Sequence, residues 1–186
     1  MLFVVTVWVL CYFPINSFSE GRPAHTLQLG FERDIPFIPF FVVFYVMAYL
    51  VVVMPYFVVR DIRDYRRAVA AYLFIILISS AVYILYPVKA ARPEISGHGI
   101  FLDIIALVYL VAKPYNLFPS LHVSLSAISS MVCLKHNKAI GYSLILLVFL
   151  ISLSTLFVKQ HYLADIISAA VLAFISYYMF LSKKIV

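Results

Sequence analysis

Charge is scarce in this chain. Of its 186 residues, 12% are Asp, Glu, Lys or Arg, and only 8 are acidic. An ordinary soluble domain is about 25% charged and about 45–50% apolar. Here 65% of residues are hydrophobic, and the mean hydropathy is +1.05. These figures exclude a soluble globular enzyme and a disordered chain alike. Cysteine is nearly absent, and two of them cannot make a disulfide framework. Cys11 and Cys133 fall at different depths of the apolar pattern and are expected to be free thiols. Glycine is also sparse, at five residues. That argues against a β-barrel, which needs many turns and strict alternation. The 14 Lys and Arg residues give a net charge of +6. They stand in short clusters between apolar runs, not on one face, so nucleic acid is not an expected partner.

What is present is a series of apolar runs. A bilayer core about 30 Å thick needs ~20 residues of helix. Six runs qualify or nearly so: 2–18, 37–59, 68–88, 119–134, 139–158 and 162–181. The first could be a signal peptide, but it has no basic n-region and no small-residue cleavage site before Glu20. It is expected to be a retained helix. The run 100–112 would be only ~20 Å long as a helix, too short to cross. It is expected to lie at the interface or re-enter. The predicted fold is therefore all-α, a six-transmembrane-helix bundle with a short interfacial helix between spans 3 and 4. Residues 1–186 read as a single integral membrane domain.

With six spans, one side holds Arg60, Arg63, Arg66, Arg67, Lys135, Lys138, Lys183 and Lys184. The other holds Arg22, Arg33, Lys89, Arg92, Lys113 and Lys159. The positive-inside rule then puts both termini in the cytoplasm. The polar residues of interest fall outside. Arg92 follows span 3. The stretch Asn-Leu-Phe-Pro-Ser-Leu-His from Asn116 to His122 opens span 4. Lys159, Gln160 and His161 open span 6, with Asp165 one turn on.

Each piece has a chemical reading and a plainer one. His161 and Asp165 are four apart, a spacing that shares a helix face. A carboxylate beside an imidazole fixes its tautomer and leaves the other ring nitrogen as nucleophile or base. The plainer reading is a pair that locks helices together, but ionisable residues in a span are costly and point to function. Pro119 and Ser120 look like a helix start, whose free N–H groups bind anions. The plainer reading is an N-cap. Arg92 offers a planar fork to phosphate and Lys159 a point charge; both could instead anchor headgroups. His25, His98 and His136 read as loop residues, and the five histidines show no metal-ligand spacing. Two histidines, a carboxylate, cations and a helix N-terminus together suit phosphoryl transfer through a histidine nucleophile.

These motifs resemble the type 2 phosphatidic acid phosphatase superfamily, with its Lys-x6-Arg-Pro, Pro-Ser-x-His and Ser-Arg-x5-His-x3-Asp signatures. The second is present as Pro119-Ser120-Leu121-His122. The third survives as Ser154, His161 and Asp165, and the first as Arg92-Pro93. The family lysine would fall at Leu85 and the family arginine at Thr155; the nearest cations are Lys89 and Lys159. The resemblance implies that His161 is the nucleophile, that Asp165 orients it, and that His122 is the general acid. It implies phosphate binding by Arg92 and Ser120, with Lys159 and Lys89 as candidates for the missing charge. It implies no metal and no other cofactor. Phe-Pro-Ser-Leu-His and Lys-Gln-His-Tyr resemble most the inositol phosphorylceramide synthase-like branch, which includes phosphotransferases. The expected activity is hydrolysis of a lipid phosphomonoester or pyrophosphate, with headgroup transfer between lipids as the alternative. A channel or carrier with a His–Asp proton relay is the alternative from another class. The expected location is a bacterial cell membrane, with the site on the extracytoplasmic face. There it would form a recessed pocket under residues 100–112 and the loop 19–36.

Overall fold

A computed structural model describes residues 1–182 as an all-helical protein. Helix α1 spans Leu2–Phe18, α2 Val42–Val58, α3 Ile62–Leu85 and α4 Ile100–Val111. Helix α5 spans Leu121–His136, α6 Lys138–Phe157 and α7 Leu163–Phe180. Short 3₁₀ turns occupy Gly30–Arg33 and Pro39–Phe41, the second running straight into α2. Lys183 and Lys184, counted above for orientation, lie outside the described residues.

Four of these segments are long and apolar enough to cross a membrane: Pro39–Val58, Ile62–Leu85, Lys138–Phe157 and Leu163–Phe180. Helices α1 and α5 are shorter, at 17 and 16 residues. At 1.5 Å per residue α5 is ~24 Å long, less than a bilayer core. Helix α4, at 12 residues, is shorter still.

The helix ends follow local chemistry. Helix α3 begins six residues before the expected start, because Asp61 caps it and accepts the Arg63 N–H at 2.7 Å. Residues 62–67 then extend the helix as a polar first turn and a half. It ends two residues short of Pro87, which disfavours helix before it. Past that point the chain is extended, and Val88 pairs with His25 in a single parallel bridge. Lys89 and Arg92 therefore lie on extended chain and not on a helix. Asn137 both ends α5 and caps α6, accepting the Ile140 N–H at 3.1 Å. This one-residue turn presses α5 and α6 together so closely that a Cβ on Gly141 would run into the Leu134 backbone.

Helix α5 sits at the centre, against α2, α3, α6 and α7, and α1 lies on α3. Its buried face is rich in small hydroxyl residues, with Ser124, Ser126, Ser129 and Ser130 all enclosed. Small residues let helix backbones approach in an apolar setting. The Tyr72 hydroxyl ties three helices here, lying 2.6 Å from Ser129 Oγ and donating to Val52 O at 2.9 Å. Cys11 and Cys133 are both free thiols.

Candidate active site

The site is built on the break between α6 and α7. Helix α6 ends at Phe157, and Lys159 takes a left-handed φ of 53°. Such a conformation is uncommon for a residue with a side chain and turns the chain sharply. The N–H groups of Gln160 and His161 both donate back to Thr155 O, at 2.9 and 3.1 Å. Helix α7 then starts with a reciprocal cap. Asp165 in its first turn accepts the Tyr162 N–H at 2.8 Å, and the same Oδ2 lies 3.2 Å from His161 Nδ1. His161 thus stands just before the helix and not on it. The four-residue spacing still joins the pair, because a carboxylate at this position reaches back over the helix start. Both side chains are buried. A carboxylate only accepts, so Nδ1 carries the proton and Nε2 is left as the free nitrogen.

The loop before α2 holds this break from outside. Glu32 is buried, and its two oxygens accept the Leu163 and Leu29 N–H groups, each at 2.6 Å. The Lys159 ammonium donates to the carbonyls of Ile35 and Glu32. Tyr162 adds a further tie, its hydroxyl accepting the Ala91 N–H at 3.1 Å. Glu32 escaped the sequence reading. A single acid in a polar loop carries no local signal that it will cap a helix 131 residues away.

His122 faces His161 across a narrow cleft, with ring centroids 6.0 Å apart. The cleft is also lined by Tyr12, Tyr45, Asn116 and Gln160. Its volume of about 10 Å³ is room for about one water. His122 packs on Tyr45 at 4.3 Å and stands 3.4 Å by Nε2 from the Tyr49 hydroxyl. Two larger apolar grooves meet at His122. One, of about 220 Å³, runs between α1 and α2 from His122 down to Met1, past Trp8, Val52 and Leu125. The other, of about 240 Å³, lies under α4, with Leu107, Val108 and Val111 on its wall.

The remaining expected residues are placed as follows. Ser120 is fully buried and caps α5, accepting the Val123 N–H at 3.4 Å, while its own N–H donates to Asp165 O at 3.2 Å. It has the plain capping contact. Arg92 closes the open end of α4, donating from Nη1 to Ala112 O at 2.7 Å and Tyr109 O at 3.3 Å. Its Nη2 donates to Gln160 Oε1 at 2.8 Å, and its guanidinium lies 4.5 Å over the Tyr109 ring. Burial pushes its pKa below the ordinary arginine range, while Tyr45, Tyr109 and Tyr12 act the other way. It stays charged. Lys89 is exposed, and among the described residues no contact links its ammonium to the histidines. Lys159 is spent on the 3₁₀ loop. The structure therefore brings together His122, His161 and Asp165, with Arg92 reaching them through Gln160. Among the described residues no three His, Cys, Asp or Glu side chains gather to hold a metal ion.

The family model described as the PAP2 superfamily matches residues 22–179. This chain belongs to the PAP2 superfamily. No curated protein and no solved structure matches it. PAP2 membership implies a phosphatase-type enzyme, of the phosphatase or phosphotransferase kind, and the four long apolar helices suggest a multi-pass membrane protein. The matched stretch contains Arg92, His122, His161 and Asp165. Helix α1, which walls both apolar grooves, lies outside it.

Proposed function

We propose that this PAP2 protein is a membrane lipid-phosphate phosphatase working through a phosphohistidine. The observation that carries the reading is the His161 ring, tied at Nδ1 to Asp165 and facing His122 with the ring centroids 6.0 Å apart. His161 Nε2 attacks phosphorus, and the bond from phosphorus to the lipid oxygen breaks. His122 gives its proton to that oxygen, releasing the lipid alcohol. Water then attacks the phosphohistidine, His122 takes back a proton, and the P–N bond breaks to free phosphate. Asp165 holds the ring and balances the positive charge it gains. A substrate dianion entering the cleft itself favours a protonated His122. Arg92 brings fixed positive charge to the cleft edge. This reading leaves Ser120 as a cap, Lys159 as a hinge anchor and Lys89 without a part in the reaction.

In this reading residues 1–186 form one membrane domain with six crossings, α1 and α5 being short ones. Both termini are cytoplasmic, and the histidines open to the other face at headgroup depth. The groove between α1 and α2 takes a hydrocarbon chain, so the lipid enters sideways with its tail in the bilayer. Transfer to a second lipid alcohol is the competing reading, as in the inositol phosphorylceramide synthase-like branch. It is favoured by the meeting of two apolar grooves at His122 around a cleft with room for about one water.

The test is a panel of labelled lipid phosphates given to the purified protein in vesicles, with and without a lipid alcohol and with and without chelator. Free phosphate supports hydrolysis, and labelled lipid product supports transfer. Long-chain substrates should be cleaved far better than glycerol 3-phosphate. A quenched phosphoenzyme should be acid-labile and base-stable. Equal cleavage of the soluble ester would overturn the lateral-entry reading, and loss of activity with chelator would overturn the metal-free mechanism.

A further inference from the structure

Gln160 immediately precedes His161 and is only 5% exposed. Its Oε1 accepts from Arg92 Nη2 at 2.8 Å. A guanidinium has donors and no acceptor, so the amide oxygen must be the atom that faces it. Nε2 therefore points away from Arg92, and it has no hydrogen-bond partner among the described residues. Gln160 lines the cleft between His122 and His161. Buried polar groups are rarely left unpaired, and those that are call for a reason. A phosphoryl oxygen in this cleft supplies one.

The Tyr12 and Tyr45 rings also line the cleft, and Arg92 Nε is unpaired among the described residues, but the other cationic donors nearby are committed. Arg92 spends Nη1 on two carbonyls at the end of α4 and stacks on Tyr109. Its two terminal nitrogens are thus already engaged. The Lys159 ammonium is held by Ile35 and Glu32 carbonyls. Asn116 Oδ1, also buried without a partner among the described residues and on a residue that lines the cleft, is an acceptor and repels an anion.

We propose that Gln160 Nε2 donates a hydrogen bond to a non-bridging phosphoryl oxygen in the histidine cleft, and that Arg92 is a positioning residue acting through it. The donor sits one residue from the nucleophile, so it meets the charge that develops as His161 attacks. Arg92 fixes the amide in the donating orientation and polarises it, since a cation on the oxygen side strengthens donation from the nitrogen side. This inference rests on the phosphohistidine reading above and names the group that recognises the phosphoryl oxygens.

The probes are a long-chain lipid phosphate in vesicles and inorganic vanadate, which mimics the five-coordinate phosphoryl group. Gln160→Glu keeps the size and the contact to Arg92 but turns an oxygen toward the phosphoryl group. Gln160→Met removes the donor without adding charge. Both variants should lower kcat/KM by about 100-fold, the usual loss for one oxyanion donor. Both should weaken vanadate inhibition by at least about tenfold, with the unfolding temperature kept. If one variant does not fold, the other carries the test. Arg92→Met combined with Gln160→Met should weaken vanadate inhibition no more than the worse single variant. Additive losses would mean that Arg92 acts independently and would overturn its positioning role. His161→Ala separates the two levels of the argument. If it is inactive while both Gln160 variants keep wild-type kcat/KM and vanadate inhibition, the Gln160 assignment is overturned and the histidine reading stands. If His161→Ala still releases phosphate, the reading falls and the assignment with it.

Discussion

The molecule has a histidine–aspartate contact at each end, and only one of them is built like a reaction site. At one end His161 Nδ1 lies 3.2 Å from Asp165, with the two side chains 6% and 0% exposed. At the other, His136 Nε2 lies 3.4 Å from Asp64, with 20% and 18% exposed. The pair distances hardly differ, but the company does. Asp64 is shared with Arg67 and Lys135, each at 3.2 Å, and the exposed Arg63 and Asp61 form a further ion pair nearby. Its charge is spread over two cations and the His136 ring. Asp165 answers to one imidazole and one backbone N–H, and its Oδ1 is unpaired among the described residues. One end is a charged anchor of the kind found at membrane surfaces. The other is a buried site in which a single carboxylate contacts a single ring.

The comparison can be broken most directly at the histidines. His161→Ala should lower phosphate release by more than about 10³-fold, since it removes the nucleophile, while His136→Ala should stay within about twofold. Initial rates on one lipid phosphate in vesicles decide this, and equal losses would erase the distinction between the ends. The carboxylates come next. Asp165→Asn should cost about 10²- to 10⁴-fold in kcat, because the amide no longer fixes the ring tautomer. Asp64→Asn should leave kcat unchanged and cost about 1 kcal/mol or less of stability, and less at high salt. Rates alongside thermal unfolding in detergent check both.

A steric change at the charged end sharpens the contrast further. Gly141→Ala forces a methyl into the Leu134 backbone. It should cost about 1–3 kcal/mol of stability as an overpacked contact. Activity per folded molecule should be preserved, as measured by titrating the folded fraction. The smallest effect is expected at Asp61. The Arg63 N–H donating to it holds its carboxyl below the ordinary aspartate range, with the Arg63 charge adding to the shift. A depressed carboxyl stabilises the folded state above its unfolded pKa of about 3.9 and loses that contribution as pH falls through the folded value. The unfolding temperatures of wild type and Asp61→Ala should therefore differ slightly at pH 7 and converge in acid. A gap that widened in acid would contradict the capping role.

Much of the helical layout was legible, because apolar runs of membrane length leave few other folds. Every expected run became a helix, and the short run 100–112 became α4. The main miss at a boundary was α3. Arg63, Arg66 and Arg67 look like a loop by hydropathy, but a capped helix carries charge easily in its first turn. The pairing of His161 with Asp165 was readable from spacing, since both belong to one turn. The contact of His136 with Asp64 was not, since it joins residues 72 apart. Gln160 stood in plain view beside His161, yet its importance depends on which way its amide faces, and only Arg92 decides that. Arg92 itself was expected at a phosphate. The open carbonyls at the end of α4, invisible in the sequence, have claimed its Nη1.

Helix α1 gives the two apolar grooves Trp8 and Tyr12, and gives the longer one Met1, Val4 and Val5 as well. The family match begins at residue 22 and leaves all of these out. In the proposed reading, the α1 side of the wall that meets the hydrocarbon lies outside the family match, and the residues that meet the phosphorus lie inside it. Substitutions from Met1 to Trp8 can lengthen, narrow or block the groove while leaving Tyr12, which also lines the histidine cleft, in place. Lineages carrying the same histidines are then free to diverge in chain length or branching of their substrate, and a transplanted α1 should carry that preference with it.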